Sequence, residues 1–391
     1  MPRLLHLADV HLGARHHDLG EAAALQRERQ FAAFKRALDL ALEERVDIVL
    51  VAGDLFDSNQ QPRRSVERVA AELGRLVGAG IRTVVIPGTH DTYDAASLYR
   101  VHDLAALAGA VPDSDLLVVL TPDRPEVVFP MLDTIVYGRT FAAKRAPRSP
   151  LAGLAAADEP RAHWRVGLVH GSLRIAGKVE DDDVLFTAEE IAASGLDYLA
   201  LGHWHSFQEG QAGGTRWAYA GAPEPVAVDQ DGSGQVLLVD LRERAGHRQV
   251  IIEPRTVGRT RFERLDIDAQ DVASQAALVG RILAHRDPDV VLETRLIGVL
   301  PDQLDIDASE VARQVEGAFL RHRLRNLAVP APTAGELPPP DSIPGAFIRD
   351  LDARIAEAEA AGRPDEAAEL REALRLGRLL LLDDPAAVTL V

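Results

Sequence analysis

Over the first 90 residues, short apolar runs alternate with longer amphipathic stretches. Arg3–Ala8, Asp47–Ala52 and Arg82–Ile86 are almost continuously apolar, the pattern of strands buried on both faces. Between them, Ala22–Glu44 carries Leu25, Phe31, Phe34, Leu38 and Leu42 near helical spacing, and Arg63–Val77 predicts a second helix. Strand–helix–strand–helix–strand is the order of a parallel sheet, and each strand ends in a turn containing Gly, Asp or His. Such carboxyl ends are where α/β proteins place their chemistry.

Further along, Glu126–Phe129, Thr134–Tyr137, Arg165–Val169, Tyr198–Leu201, Thr215–Tyr219 and Gln235–Asp240 read as strands with few helices between them. They predict a mixed or antiparallel second sheet packed on the first. The Ala- and Pro-rich stretch Pro147–Pro160 is expected to be a surface loop. From about Arg255 the rhythm changes. Phe262–Ile267, Val272–His285, Val290–Val299, Ser309–Leu320 and Leu324–Val329 form a compact βαβαβ pattern. Pro330–Pro344, with six prolines, reads as a stiff linker, followed by helical segments Ala346–Ala361 and Asp365–Leu382. The expectation is an α/β domain over 1–254, a small α+β unit over 255–330, a linker over 331–344 and a helical tail over 345–391.

Composition narrows the chemistry. Among 391 residues there is no cysteine, which excludes disulfides, zinc–thiolate sites, iron–sulfur clusters and thiol catalysis together. No uncharged apolar run approaches the ~20 residues of a membrane helix. Met1-Pro2-Arg3-Leu4-Leu5 reaches His6 and Asp9 at once, so no secretory signal and a cytoplasmic location are expected. The net charge is -17, from 43 basic and 60 acidic residues. A module that coats nucleic acid alone has the opposite sign. A hydrolase whose phosphate contacts come from metal ions or a partner subunit is still compatible with it.

Five strand-end segments carry metal-ligating side chains: Asp9-Val10-His11, Gly53-Asp54-Leu55-Phe56-Asp57, Gly88-Thr89-His90-Asp91, His170-Gly171 and Gly202-His203-Trp204-His205. In extended backbone, residues i and i+2 project to one side, so Asp9 with His11, and His203 with His205, are expected to share a point. Asp54 brings two carboxylate oxygens to the middle of the set, suited to bridging two ions ~3.5–4 Å apart. Imidazole and carboxylate without thiolate suit manganese, iron, cobalt or zinc. Trp204, between two histidines, is expected to pack rather than stack on a base.

The order DxH…GDxxD…GxHD…H…GHxH resembles the calcineurin-like metallophosphoesterases, a two-sheet sandwich flanked by helices. LLHLADVHLG at Leu4–Gly13, VAGDLFDS at Val51–Ser58, DYLALGHWH at Asp197–His205 and YAGAPEP at Tyr219–Pro225 are similar to SbcD-type DNA repair exonucleases, over roughly residues 1–245. The resemblance implies two divalent transition-metal ions, foremost manganese. Asp9, His11 and His205 would hold the first and His170 and His203 the second, with Asp54 bridging. His90 would be the catalytic histidine, steered by Asp91, and Asp57 would shape the edge of the site. The family's Asn in GNHD is here Thr89, a shorter and weaker neutral donor, so the second site is expected to be the weaker one.

The implied partners are DNA and an SbcC-like coiled-coil ATPase of the SMC type, docking near the C-terminal helices, with a homodimer also open. The βαβαβ unit would cap the site, and Arg321, Arg323 and Arg325, at alternate positions leading into a strand, are candidate substrate contacts. Two alternatives stay open: a phosphomonoesterase or cyclic-nucleotide phosphodiesterase on the same scaffold, and a weakly active metal-bearing scaffold for the ATPase.

Overall fold

The computed structural model describes residues 1–156, 159–179, 181–225, 232–301, 304–330, 338–339 and 342–363, with scattered positions between 366 and 381. In chain order the strands are β1 (Arg3–Leu7), β2 (Ile48–Ala52), β3 (Arg82–Ile86), β4 (Leu117–Val119), β5 (Glu126–Phe129), β6 (Thr134–Arg139), β7 (Trp164–His170), β8 (Ser172–Leu173), β9 (Leu185–Phe186), β10 (Tyr198–Gly202), β11 (Gln208–Ala212), β12 (Thr215–Tyr219), β13 (Gln235–Arg244) and β14 (His247–Thr256). They continue with β15 (Arg261–Asp268), β16 (Asp287–Ile297), β17 (Val299–Leu300), β18 (Phe319–Asn326) and β19 (Val329–Pro330). The helices are α1 (Ala23–Glu43), α2 (Arg63–Gly78), α3 (Leu98–Val101), α4 (Leu104–Leu107), α5 (Ala188–Ala193), α6 (Gln275–Leu283), α7 (Ala308–Gln314) and α8 (Ile343–Ala360).

Two six-stranded sheets, β14-β13-β1-β2-β3-β4 and β11-β12-β10-β7-β6-β5, make the α/β sandwich. β1 to β4 run parallel, and β13–β14 add an antiparallel edge. In the second sheet β6, β7, β10 and β12 are parallel between antiparallel edges β5 and β11. Alternation assigns the faces. Leu4, Ile48, Leu50 and Val84 meet Val166, Leu168, Tyr198 and Ala200 between the sheets. Leu5, Leu7, Val49, Val51 and Val85 point the other way, onto Phe34 and Leu38 of α1 and Leu73 of α2. Both faces being covered, the strands need unbroken apolar runs, each buried leucine-sized chain contributing ~1.5–3 kcal/mol. The outer face of the second sheet, with Ile135, Leu199 and Leu201, packs on Ile191 of α5 and on Leu151, Leu154 and Ala156. Those last three belong to the expected surface loop Pro147–Pro160. The loop is instead part of the core cover, its leucines packing on that face beside the short helix α5.

His6 ties the sheets together. Its Nδ1 lies 2.8 Å from the Tyr198 hydroxyl and its Nε2 3.1 Å from the Leu201 carbonyl, so the ring is neutral and fully bonded. Burial pushes it down to about 3.

The chain forms two compact units, Met1–Glu263 with Pro288–Val291, and Arg264–Asp287 with Leu292–Val391. In the second, strands in the order β15-β16-β18 carry α6 and α7, the expected βαβαβ sequence. The helix expected over Ser309–Leu320 ends at Gln314 and the strand starts at Phe319, because Gly317 takes a left-handed turn at φ 74°. Arg321, Arg323 and Arg325 therefore lie within β18, all three exposed. The tail helix begins at Ile343, inside the expected linker, capped by the Ser342 side chain. The linker residues 331–337 and half of Asp365–Leu382 lie outside the described residues. Among those described, no helix is long and apolar enough to cross a membrane.

Candidate metal centre

The five motif segments all leave carboxyl ends of strands at one end of the sandwich, where β1, β2 and β3 of one sheet face β7 and β10 of the other. Their side chains converge, though not by strand alternation. β1 stops at Leu7, and Asp9 and His11 both adopt left-handed backbone, at φ 53° and 49°. Asp54 at φ 51° and His203 at φ 102°, just beyond β2 and β10, do the same. Positive φ is costly for residues with a Cβ, and such strain concentrates where the surroundings over-determine a functional geometry. Here that determination is visible. The first two loops are laced by Asp9 N–H to Gly53 O (3.2 Å), His11 N–H to Asp54 O (3.0 Å) and Leu12 N–H to Leu55 O (3.0 Å). Close approach needs glycine at two places: a methyl group at Gly88 would collide with Asp54 Oδ1, and one at Gly202 with the Ala52 carbonyl.

Two pairs of imidazoles face each other nitrogen to nitrogen. His11 Nε2 lies 3.1 Å from His205 Nε2, and His170 Nε2 lies 3.3 Å from His203 Nδ1. Asp54 Oδ2 sits between the pairs, 3.2 Å from His170 Nε2 and 3.7 Å from His11 Nε2. Thr89 Oγ1 is 3.4 Å from His170 Nε2. In the second pair the outer ring nitrogens are already committed. His170 Nδ1 donates to the Ala52 carbonyl at 2.9 Å, and His203 Nε2 donates to Asp182 Oδ2 at 3.1 Å. With both rings neutral, two lone pairs and a carboxylate oxygen point at one another, an arrangement that a positive charge reconciles, either a proton on His170 or a metal ion in its place. Three-residue sets with ligand atoms mutually within 4.8 Å occur at Asp9/His11/His205, at Asp9/Asp54/His170 and at His11/Asp57/His90.

The electrostatics agree. Burial raises the Asp9 carboxyl to about 6. At Asp54 burial works the same way but is outweighed by His170, His11 and His90, which hold the carboxyl well below its ordinary range. Burial opposes charge on His170, yet Asp54 and Asp9 together push it up to about 9, and His11 is raised against burial by Asp57 first and then by Asp54 and Asp9. His205 is pushed down to about 3 by burial and by neighbouring His11, and His203 is lowered by burial and His170. Such a site attracts positive charge and cannot protonate all its imidazoles.

His90 stands at the rim, its side chain 45% exposed, with its ring 4.6 Å from that of His11. Its amide donates to Asp54 Oδ1 (2.8 Å) and its Nδ1 donates to the Asp57 carbonyl (3.1 Å). Asp91, implied to steer this ring, does not hold it. Its buried carboxylate accepts from Gly88 N–H (2.7 Å), Phe56 N–H (3.1 Å) and the Tyr99 hydroxyl (2.6 Å). A carboxylate so engaged bolts the loop after β3 to the loop after β2, and the His90 ring is oriented by Asp57. Asp57 also faces His11 Nδ1 at 3.5 Å, which draws its own carboxyl downward. Trp204 packs as expected, stacked on Tyr219 at 4.5 Å with its Nε1–H on Ser172 Oγ.

Asp182 was missed by the sequence reading. It accepts from Ser172 Oγ at 2.5 Å as well as from His203, and so fixes the tautomer of a candidate ligand histidine. In the sequence it is the middle of an Asp-Asp-Asp run, indistinguishable from a solvated acidic turn.

A two-sheet sandwich gathering four imidazoles and buried carboxylates at its strand ends is the scaffold of a metal-dependent phosphoesterase. The chain belongs to the calcineurin-like phosphoesterase family, whose model matches residues 2–207. It is 31% identical over 295 residues to the DNA double-strand break repair protein Mre11 of Aeropyrum pernix, covering 72% of this chain and 67% of that protein. It is 26% identical over 249 residues to the protein of the same name from Sulfurisphaera tokodaii, covering 60% of this chain and 59% of that one. Among solved structures, TT1561 of Thermus thermophilus aligns over 66% of this chain and 99% of its own length, at 14% identity and TM-score 0.40.

Proposed function

We propose that this protein is a metal-dependent DNA nuclease that hydrolyses phosphodiester bonds in DNA repair, working with an SbcC-like coiled-coil ATPase. The observation that carries the reading is the opposed imidazole pairs sharing the Asp54 carboxylate. The names of the two Mre11 relatives supply the substrate class.

Asp9, His11 and His205 would hold one divalent ion, His170, His203 and Thr89 the other, and Asp54 both. When bound, such ions, foremost manganese, lower the pKa of an attacking water and neutralise charge growing on the phosphate oxygens. The chain supplies the rest. Asp54 is pinned through Oδ1 by the His90 amide, which leaves Oδ2 turned inward at a fixed angle. The Asp57 carbonyl accepts the Nδ1–H of His90, so Nε2 is the nitrogen left to face substrate, and the ring, when it also carries a proton there as imidazolium, would pass that proton to the departing oxygen. Exposure of that ring gives a bulky phosphodiester access, while His170 and Asp54, each 2% exposed, stay out of bulk water. Thr89 offers a neutral oxygen on a short stem, the reason for a weaker second site.

In the second unit, Arg321 and Arg323 of β18 present exposed guanidinium groups on one face, without an ion pair among the described residues, and are assigned to the nucleic-acid backbone. Arg325 is partly engaged, 3.6 Å from Glu293. Ile348, Leu351 and Ala358 of α8 are already buried within the chain, so a partner helix would use other residues of the tail.

The test is hydrolysis of linear duplex DNA, single-stranded DNA and small chromogenic phosphodiesters by wild type and His90→Ala across several divalent ions. Wild type should degrade DNA only with a transition ion present, and the variant should retain metal while losing about 10²–10⁴-fold in turnover. A wild-type rate for the variant, or hydrolysis confined to the small esters, contradicts the reading.

A further inference from the structure

The charge of this chain is not evenly spread. Residues 139–178 hold eight basic and two acidic side chains, including two of the three lysines, within a protein of 43 basic and 60 acidic residues. The segment begins at the carboxyl end of β6, where Arg139 pairs with Val169, one residue short of His170. It lines two clefts, of about 400 and 560 Å³, that share Arg148 and Ser149. The first is bounded by Asp182, whose Oδ2 is 3.1 Å from His203 Nε2, so the cleft opens beside the metal centre. The second runs away from it past Arg139, Thr140 and Phe141, over a wall of prolines.

The cations divide sharply. Arg145 is paired with Asp181 at 2.7 Å and Lys144 with Asp183 at 3.3 Å. Glu190, which also lines the first cleft, is occupied in the capping box of α5. Asp182 is taken by His203 and Ser172. Among the described residues, Arg139, Arg148 and Arg174 have no carboxylate within ion-pairing distance. Arg139 is half-buried and reaches only the carbonyls of Pro125 and Gly138, at 3.4 and 3.3 Å. Beside it the Thr140 hydroxyl is buried with no hydrogen-bond partner. Guanidinium groups left without carboxylates, in a chain with an excess of carboxylates, indicate a site kept for an external anion. The neighbouring Phe141 and the proline wall suit the apolar faces of bases and sugars, the combination by which a single strand is held without sequence preference.

We propose that this double cleft is the track for one polynucleotide strand entering or leaving the metal centre, with Arg148 and Arg174 on the phosphates nearest the ions and Arg139 with Phe141 on the next nucleotide. The assignment rests on the nuclease reading above and adds to it a defined path for the strand.

The test measures binding of a fluorescein-labelled single-stranded 20-mer, by anisotropy over a range of salt concentrations, to wild type, Arg148→Ala/Arg174→Ala and Phe141→Ala. Arg244→Ala serves as control, because Arg244 lies at the far tip of the β13–β14 hairpin, beyond the amino-terminal end of β1. Losing two phosphate contacts should lower the slope of log Kd against log salt by about 1.4. Phe141→Ala should weaken binding about 5- to 100-fold with the slope unchanged, as loss of one stacked base predicts. Arg244→Ala should match wild type. An unchanged slope in the double variant, or an equal loss in the control, overturns the track. If wild type neither binds nor cuts DNA, it is the nuclease reading that has failed.

Discussion

The two halves of the metal centre are held in different ways. The half from the first sheet, carrying Asp9, His11, Asp54, Thr89 and His90, is set by main chain: its loops exchange amide–carbonyl bonds and are bolted by Asp91. The half from the second sheet, carrying His170, His203 and His205, has fewer such bonds and depends on side chains. His203 is aimed by Asp182 through Nε2 and by Asp9, whose oxygens accept its amide at 2.9 and 3.1 Å. A ligand positioned by backbone tolerates neighbouring side-chain changes. One positioned by side chains is only as well aimed as they are, so substitutions outside the ligand set should separate the two ions.

The largest effect tests what the halves share. Asp54→Ala removes the carboxylate whose Oδ2 lies between the two imidazole pairs, and DNA hydrolysis should fall by at least about 10²–10³-fold with both ions weakened. Loss of one ion alone would show that Asp54 belongs to a single half. Next, Asp182→Ala should weaken one ion by about 10- to 100-fold and leave the other as in wild type, as read by calorimetric titration. Equal weakening of both would mean that the halves are not independently held.

The smallest effect concerns the histidine that joins the sheets beneath the site. His6 is pushed down to about 3 by burial, against an ordinary value near 6.5. The unfolded chain therefore binds the extra proton between those values, and the stability of the neutral ring is complete above pH 6.5 and lost as pH falls. The loss amounts to about 1.4 kcal/mol per pH unit, or about 2 kcal/mol between pH 6.5 and 5. Denaturant unfolding of His6→Gln should show a pH slope shallower by that amount, and parallel slopes would contradict it.

Much of the frame was legible because the buried strands leave little choice. The apolar runs Ile48–Ala52 and Arg82–Ile86 have both faces covered, and the turns that follow them carry the candidate ligands. The edges were less legible. β14 is mostly exposed and contains Pro254, and β11 reads Gln-Glu-Gly-Gln-Ala, so neither shows the alternation that marks a half-buried strand. In the site, residue type pointed to the candidate ligands, whereas their convergence rests on left-handed turns at Asp9, His11, Asp54 and His203 that spacing does not reveal. The partners of Asp91 and Asp182 were hidden for the same reason. What a carboxylate does is decided by the donors around it, and Tyr99 and Ser172 are neighbours only in the folded chain.

Anomalous scattering from crystals soaked in manganese should show two peaks, one on either side of Asp54, the stronger beside His11 and His205 and the weaker beside His170, His203 and Thr89. No peak at these strand ends, or a single ion that leaves one imidazole pair untouched, would contradict the two-ion centre.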